Sequence, residues 1–252
     1  MSATDADAAR TGDTASLAFA IPKTMTPAIL LRSTGTMKGE DDMGLPVIVY
    51  GKSGSGKSRS LRGFAEDEIF LVNVVGKELP FKGRFKYMAR ISNVDKIIEG
   101  LQNMPTNVAV IDDAGYIMTS MFMDGHSAPK KGASSFDLFN DIGDGVWKLM
   151  RFVSTSLPRN KIVYFNFHEI TTEVGECKIR TIGKLLDEKV CLEGLVTVAL
   201  HCMTNGERHF FCTQSNGFDI AKSPEEMFMD KEIPNDLKLV DSTIRAYYDM
   251  EE

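Results

Sequence analysis

The sequence has no long apolar run, no closely paired cysteines and a deficit of positive charge, and each shortage narrows what the chain can be. No stretch of eighteen or more apolar residues occurs, so no segment reads as a membrane-spanning helix. The opening residues Met1, Ser2, Ala3, Thr4 and Asp5 lack a basic region followed by an apolar core, the pattern of a secretory signal. A soluble, cytoplasmic protein with no membrane partner is therefore expected. Cys177, Cys191, Cys202 and Cys212 contain no C-x-x-C pair, which signals neither a zinc ribbon nor a secreted disulfide framework and leaves reduced thiols as the expectation. The 29 Lys and Arg against 35 Asp and Glu give a net charge of −6. That balance argues against a protein coated in nucleic acid, because non-specific binding is driven by neutralising phosphates. A local basic patch is still compatible with it.

What is present is enough for one sizeable core: 252 residues, 43% hydrophobic, fit a single domain. Residues 1–20, rich in Ala, Thr and Asp, hold too little apolar surface to offset ordering entropy and read as a disordered tail. Residues 21–252 read as the domain. Leu45 to Tyr50 (LPVIVY), Ile69 to Val74 (IFLVNV), Val108 to Ile111 (VAVI) and Ile162 to Phe167 (IVYFNF) are short β-branched or aromatic runs, the signature of buried strands. Between them, Ser58 to Ala65 reads as a short helix. Asn93 can cap a helix carrying Val94, Ile97, Ile98 and Leu101, and Phe139, Ile142, Val146, Leu149 and Val153 mark a longer one. Met121 to Ser135 shows no apolar period and reads as a mobile surface loop. Strands alternating with helices predict an α/β fold with a mainly parallel sheet covered on both faces. Near the C-terminus, Asn205-Gly206 between two apolar runs predicts a β-hairpin, and Asn235 can cap a last helix carrying Leu237, Val240, Ile244 and Tyr247.

Gly51-Lys52-Ser53-Gly54-Ser55-Gly56-Lys57-Ser58 matches G-x-x-x-x-G-K-[ST] in full and lies between a predicted strand and a predicted helix. Glycines at these positions let the backbone wrap an anion so that successive N–H groups face phosphates. Lys57 should reach the β and γ phosphates and the Ser58 hydroxyl should coordinate Mg²⁺. Asp112 ends an apolar strand about fifty residues on, where a P-loop enzyme places the carboxylate of its Mg²⁺ shell. For the group that orients or deprotonates water, Asp113 is the first candidate and Glu78 its rival. His168, ending the IVYFNF strand at the edge where ligand-facing loops converge, could sense the γ phosphate, with Asn166 a weaker candidate on the same face. Lys178, Arg180, Lys184 and Lys189 could serve as a cation for a neighbouring subunit, a nucleic-acid contact or a solvated face. His201, Cys202, His209 and Cys212 look like zinc ligands. A two-residue turn, however, pairs Cys202 with His209 and sends His201 and Cys212 to the opposite face, so the four cannot converge.

With these residues in view, the chain resembles the phage-encoded RecA-like P-loop ATPases often grouped with the AAA families, including the short RecA-core proteins of phage recombination modules. The likeness spans roughly Ile21 to Glu251. It rests on VIVYGKSGSGKS, NVVGKELPFKG (Asn73 to Gly83), VAVIDDAGYIM (Val108 to Met118), TIGKLLDEKVCLEGLVTVALH (Thr181 to His201) and TQSNGFDIAKSP (Thr213 to Pro224). It implies a RecA-like core with ATP and Mg²⁺ as cofactors, in the host cytoplasm. It also implies a homo-oligomer working on single-stranded DNA with a recombination or annealing protein. RecA-type enzymes usually carry a Glu directly after the strand that follows the phosphate loop; here Val75 and Gly76 stand there and Glu78 comes later. A P-loop small-molecule kinase and a nucleotide-dependent adaptor with little hydrolysis are the alternatives. The kinase would need an arginine-rich lid, and Met121 to Ser135 contains no arginine.

Overall fold

The computed structural model describes residues 43–127, 135–183 and 185–250. The expected tail at 1–20 lies outside them. Among the described residues, the strands are β1 (Leu45–Gly51), β2 (Ile69–Asn73), β3 (Tyr87–Ala89), β4 (Val108–Asp112), β5 (Ile162–Thr171), β6 (Cys177–Ile179), β7 (Val198–Thr204), β8 (His209–Cys212) and β9 (Glu232–Pro234). They lie in the order β3-β2-β4-β5-β1-β7-β8-β9, with β6 attached to β5. The pairings from β3 through β7 are parallel, and β6, β8 and β9 add antiparallel edges. The expected α/β architecture with a mainly parallel sheet is thus present.

The strand sequences distribute their side chains by the period of two. Ile48 and Tyr50 of β1, Ala109 and Ile111 of β4 and Val163, Phe165 and Phe167 of β5 face one core, built with α1 (Val94–Gln102), α2 (Gly115–Ser127) and α3 (Ser135–Ser156). Val47, Val49, Val110, Tyr164, Val198 and Leu200 face the other, closed by Leu61 and by Leu237, Val240 and Ile244 of α4 (Leu237–Tyr247). Each large apolar side chain buried this way contributes about 1.5–3 kcal/mol, which is why both faces must be covered. Among the described residues no helix is long and apolar enough to cross a membrane.

Three local expectations are corrected and one is shortened. Met121 to Ser127 belongs to α2, while 128–134 lie outside the described residues and α3 begins at Ser135. The helix forms because α2 and α3 pack closely at glycines. A Cβ on Gly125 would meet the Leu138 side chain and one on Gly145 would lie 2.9 Å from Met121 Cε. The expected short helix from Ser58 to Ala65 is present as a 3-10 helix that ends earlier, Ser58–Gly63; a Cβ on Gly63 would sit 2.6 Å from Asp236 Oδ1, so the start of α4 presses against its end. Asp236, not Asn235, caps α4, accepting from Lys238 and Leu239 N–H. The C-terminal hairpin pairs Thr204 with His209 across a four-residue loop rather than Thr204 with Glu207. That shift of two preserves which face each side chain takes.

Candidate functional site

The phosphate-loop sequence leaves the C-terminal end of β1 and turns back on itself. Gly54 and Gly56 hold φ of +79° and +111°, conformations that cost an L side chain strain. Gly51 lies so close to β7 that a Cβ there would reach the Cys202 carbonyl oxygen. Inside the turn, the Lys57 ammonium donates to the carbonyls of Gly51 at 2.7 Å and Lys52 at 2.8 Å. Burial lowers its pKa, opposed by Cys202, Asp113 and Asp112. A nearly buried cation held by carbonyls of the loop it closes is positioned to transfer its N–H bonds to an anion seated above.

β5 lies between β1 and β4, so the acids at the end of β4 meet the loop across it, alongside Asn166 and His168 of β5. Ser58 Oγ donates to Asp112 Oδ1 at 3.0 Å, and Asn166 Nδ2 donates to the same oxygen at 2.8 Å. Burial raises the Asp112 pKa; these two hydrogen bonds offset it in part and the neighbouring Asp113 adds to it. Asp113 takes the left-handed conformation, φ +60°, which turns its side chain away from that of Asp112. Its carboxylate bonds Lys77 Nζ at 2.5 Å and His168 Nε2 at 3.1 Å. Burial opposes ionisation there, yet the His168 and Lys77 contacts hold Asp113 below the usual carboxylate range. The Asn166 backbone carbonyl also accepts the Ala114 N–H at 2.8 Å, fixing the turn that separates the two acids.

Ser53, Gly54, Gly56, Lys57, Ser58, Asp113, Glu78 and His168 line one cavity of about 350 Å³. Asp112 sits behind its wall, in contact through Ser58. Lys52 and Ser55 instead face a second cavity on the other flank of the loop, which Ser53 and Gly54 also border. Glu78 reaches the rim only: its side chain is 92% exposed and its carboxylate pairs with Arg90 at 3.3 Å. Asp113 is therefore the better placed of the two candidates.

Three residues close around the loop without having been expected there. Lys77 reaches Asp113 because Asn73 shapes the preceding turn, accepting from Gly76 N–H at 2.8 Å and donating to the Lys77 carbonyl at 2.6 Å. Asn235 donates to the Gly56 carbonyl at 3.2 Å and accepts from Arg59 at 3.2 Å. His209 Nδ1 meets the Ser55 carbonyl at 2.7 Å. The C-terminal hairpin and the segment before α4 thus support the loop from below. The Asn-Gly turn was the one local signal that pointed to them.

Of the cations, Lys178 pairs with Glu176 at 2.9 Å and Lys189 lies in a π turn, Leu185–Val190. Lys184 lies outside the described residues. Arg180 is exposed beside a smaller cavity of about 230 Å³ that His168 also lines, and its N–H donates to the His168 carbonyl at 2.8 Å. The four zinc-like residues diverge as the alternation requires: Cys202 and His209 contact the phosphate loop, and His201 turns to the opposite face.

The donor set beside the loop suits a phosphate-bound Mg²⁺. Ser58 and Asp112 offer hard oxygens, Asp112 accepts hydrogen bonds from the neutral Ser58 and Asn166 side chains, and the buried Asn166 Oδ1 finds no hydrogen-bond partner among the described residues. Compared with protein-family models and with curated proteins, the chain matches none.

Proposed function

We propose that the chain is a Mg²⁺-dependent ATPase of the P-loop type, with a RecA-like core that couples ATP turnover to work on DNA. The observation that carries this reading is the convergence, across 54 residues of sequence, of the Ser58 hydroxyl on Asp112 beside the buried Lys57 ammonium. In this reading the Gly51 to Ser58 backbone and Lys57 bind phosphate oxygens, and Ser58 and Asp112 hold Mg²⁺, which neutralises charge on the phosphates when bound. Asp113 faces the same cavity from a rigid turn. As a carboxylate held ionised by Lys77 and His168, it is a weak base and a good hydrogen-bond acceptor, so its role is to orient water rather than to retain a proton. His168 touches Asp113 and borders both the main cavity and the Arg180 cavity. That double contact supports it as the residue through which a DNA strand near Arg180 would act on turnover.

One observation favours a second reading, a nucleotide-dependent adaptor: Asp113 is already engaged by Lys77 and His168, which leaves it less free to activate water. Phosphate release from ATP and Mg²⁺, with and without single-stranded DNA, separates the two. Turnover that rises with DNA and is lost in Lys57→Ala supports the DNA-coupled ATPase. Nucleotide binding lost in Lys57→Ala, with wild-type turnover no faster than the mutant's, supports the adaptor. Wild type and mutant that are alike in binding and in turnover overturn both.

A further inference from the structure

On the flank of the phosphate loop away from Asp112, three strands deliver three different metal-ligating side chains to one point. Glu169 comes from β5, Cys177 from β6 and His201 from β7, and their ligand atoms all lie within 4.8 Å of one another. His201 Nε2 is 2.7 Å from Glu169 Oε2 and 3.8 Å from Cys177 Sγ. The other ring nitrogen, Nδ1, faces Asp219 Oδ2 at 3.4 Å. The ring is stacked on Tyr50, centroids 4.5 Å apart and planes 12° from parallel. The His201 and Glu169 side chains are only 7% and 5% exposed.

We infer that Glu169, Cys177 and His201 form a binding site for a borderline transition-metal dication, zinc being the best match, with Asp219 as the residue that orients the histidine. Zinc bonds of about 2.0–2.1 Å to nitrogen or oxygen and about 2.3 Å to sulfur set tetrahedral N···S and N···O separations near 3.6 and 3.4 Å. The sulfur already stands close to that spacing, and Glu169 needs to swing by less than about 1 Å. A carboxylate on the far nitrogen of a ligating histidine is the usual supporting partner; it keeps the proton on Nδ1 and leaves Nε2 for the metal. The mixed nitrogen, sulfur and oxygen set selects zinc-like ions over Mg²⁺. A fourth position opens onto the second cavity, about 440 Å³, where water can complete the shell. Coordination sends the thiol proton, and any proton on Nε2, to solvent.

The consequence is a staple between segments distant in sequence. β6 hydrogen-bonds β5, and the Cys177 N–H donates to the Phe218 carbonyl at 2.7 Å, so a metal would clamp the β5–β6 hairpin and the 215–219 loop onto β7. Lys52 and Ser55 line the same cavity, which puts occupancy next to the phosphate loop. This inference stands independently of the nucleotide reading, since its test contains no nucleotide.

The full chain, stripped with a chelator, is titrated with Co²⁺ and then with Zn²⁺. One equivalent should bind, with a near-ultraviolet sulfur-to-cobalt charge-transfer band that Zn²⁺ displaces. Cys177→Ser should abolish the band, and Asp219→Asn should keep it while weakening affinity about 10–100-fold. Replacing the exposed Cys191 with Ser should change neither. Failure of the wild type to bind a stoichiometric ion, or a band that survives Cys177→Ser, overturns the site and leaves an internal histidine–carboxylate network. If the Cys177→Ser variant loses its circular-dichroism spectrum, the wild-type stoichiometry and the response to Asp219→Asn decide.

Discussion

On one flank of the phosphate loop, Asp112 meets hydrogen bonds from neutral donors, Ser58 and Asn166; on the other, Glu169 and Asp219 share the imidazole of His201 between them. Both flanks bury carboxylates, yet the outcomes differ. Burial drives the Asp112 pKa up, whereas Glu169, also opposed by burial, is held below the ordinary range by the His201 hydrogen bond. Lys77 and Lys57 act on Asp112 only at a distance, and its direct hydrogen bonds come from neutral groups, so burial still disfavours its charged form and a cation brought by a ligand can offset that cost. An anion already bonded to imidazole needs no such visitor; a metal there must replace protons. The proposed Mg²⁺ would thus relieve a burial cost on the first flank, whereas the proposed resident ion on the second would compete with protons.

The comparison is broken most severely at Lys57. Lys57→Ala should lower phosphate release by about 10²–10³-fold, the range for loss of one donor to developing charge. Cys177→Ser, on the opposite flank, should change the same rate by at least tenfold less. Next in size is Asp112→Asn, expected to cost about 10²-fold at saturating Mg²⁺ while leaving the metal-free fold as stable or more so. The sign follows from linkage: a carboxylate whose folded pKa lies above its ordinary 3.8 costs stability progressively as pH rises from that value through the folded one. Amidation removes that cost, so calorimetry without Mg²⁺ at neutral pH should give the variant a midpoint at or above the wild type's, and Mg²⁺ with nucleotide should raise only the wild type's strongly.

Asp113 has the opposite sign. Its folded pKa is depressed, so its contribution is present in full above about 3.8 and is lost as pH falls through the lower folded value. Lys77→Ala removes part of that depression. The acid-unfolding midpoint followed by circular dichroism should move to higher pH, and turnover should fall about tenfold as the orienting carboxylate loses its fixed geometry. The smallest effect belongs to Glu78→Gln: its side chain is exposed at the cavity rim and paired with Arg90, and such surface pairs are weakly held, so turnover should change by less than about fivefold. A larger loss would return Glu78 to the water-orienting role.

Much of this arrangement can be read locally. The runs LPVIVY, VAVI and IVYFNF announce buried strands because no other short element hides that many consecutive apolar residues, and G-x-x-x-x-G-K-S carries its own backbone requirement at Gly54 and Gly56. The Asn93 cap was legible for the same reason, since Asn93 Oδ1 accepts from Lys96 N–H only three residues on. Met121 to Ser127 gives no local sign of its helix, which is held by close packing of α2 on α3 at Gly125 and Gly145. An Asn before a helix has the local pattern of a cap, but the Asn235 side chain reaches back 179 residues to the Gly56 carbonyl.

The sequence by itself determined the strands, the alternation that assigns their faces, the glycine-rich turn after β1 and the presence of an acid at the end of β4, because each depends on residues within a few positions of one another. Only the tertiary structure decided that Lys77 rather than Glu78 stands beside Asp113, that the C-terminal hairpin supports the loop, and that Glu169, Cys177 and His201 share a point. Those outcomes follow from the order of strands in the sheet, in which β5 separates β1 from β4 and β7 closes on the far side of β1. Strand order is set by which non-local faces can be buried together, a sum over contacts that no single stretch of the chain contains.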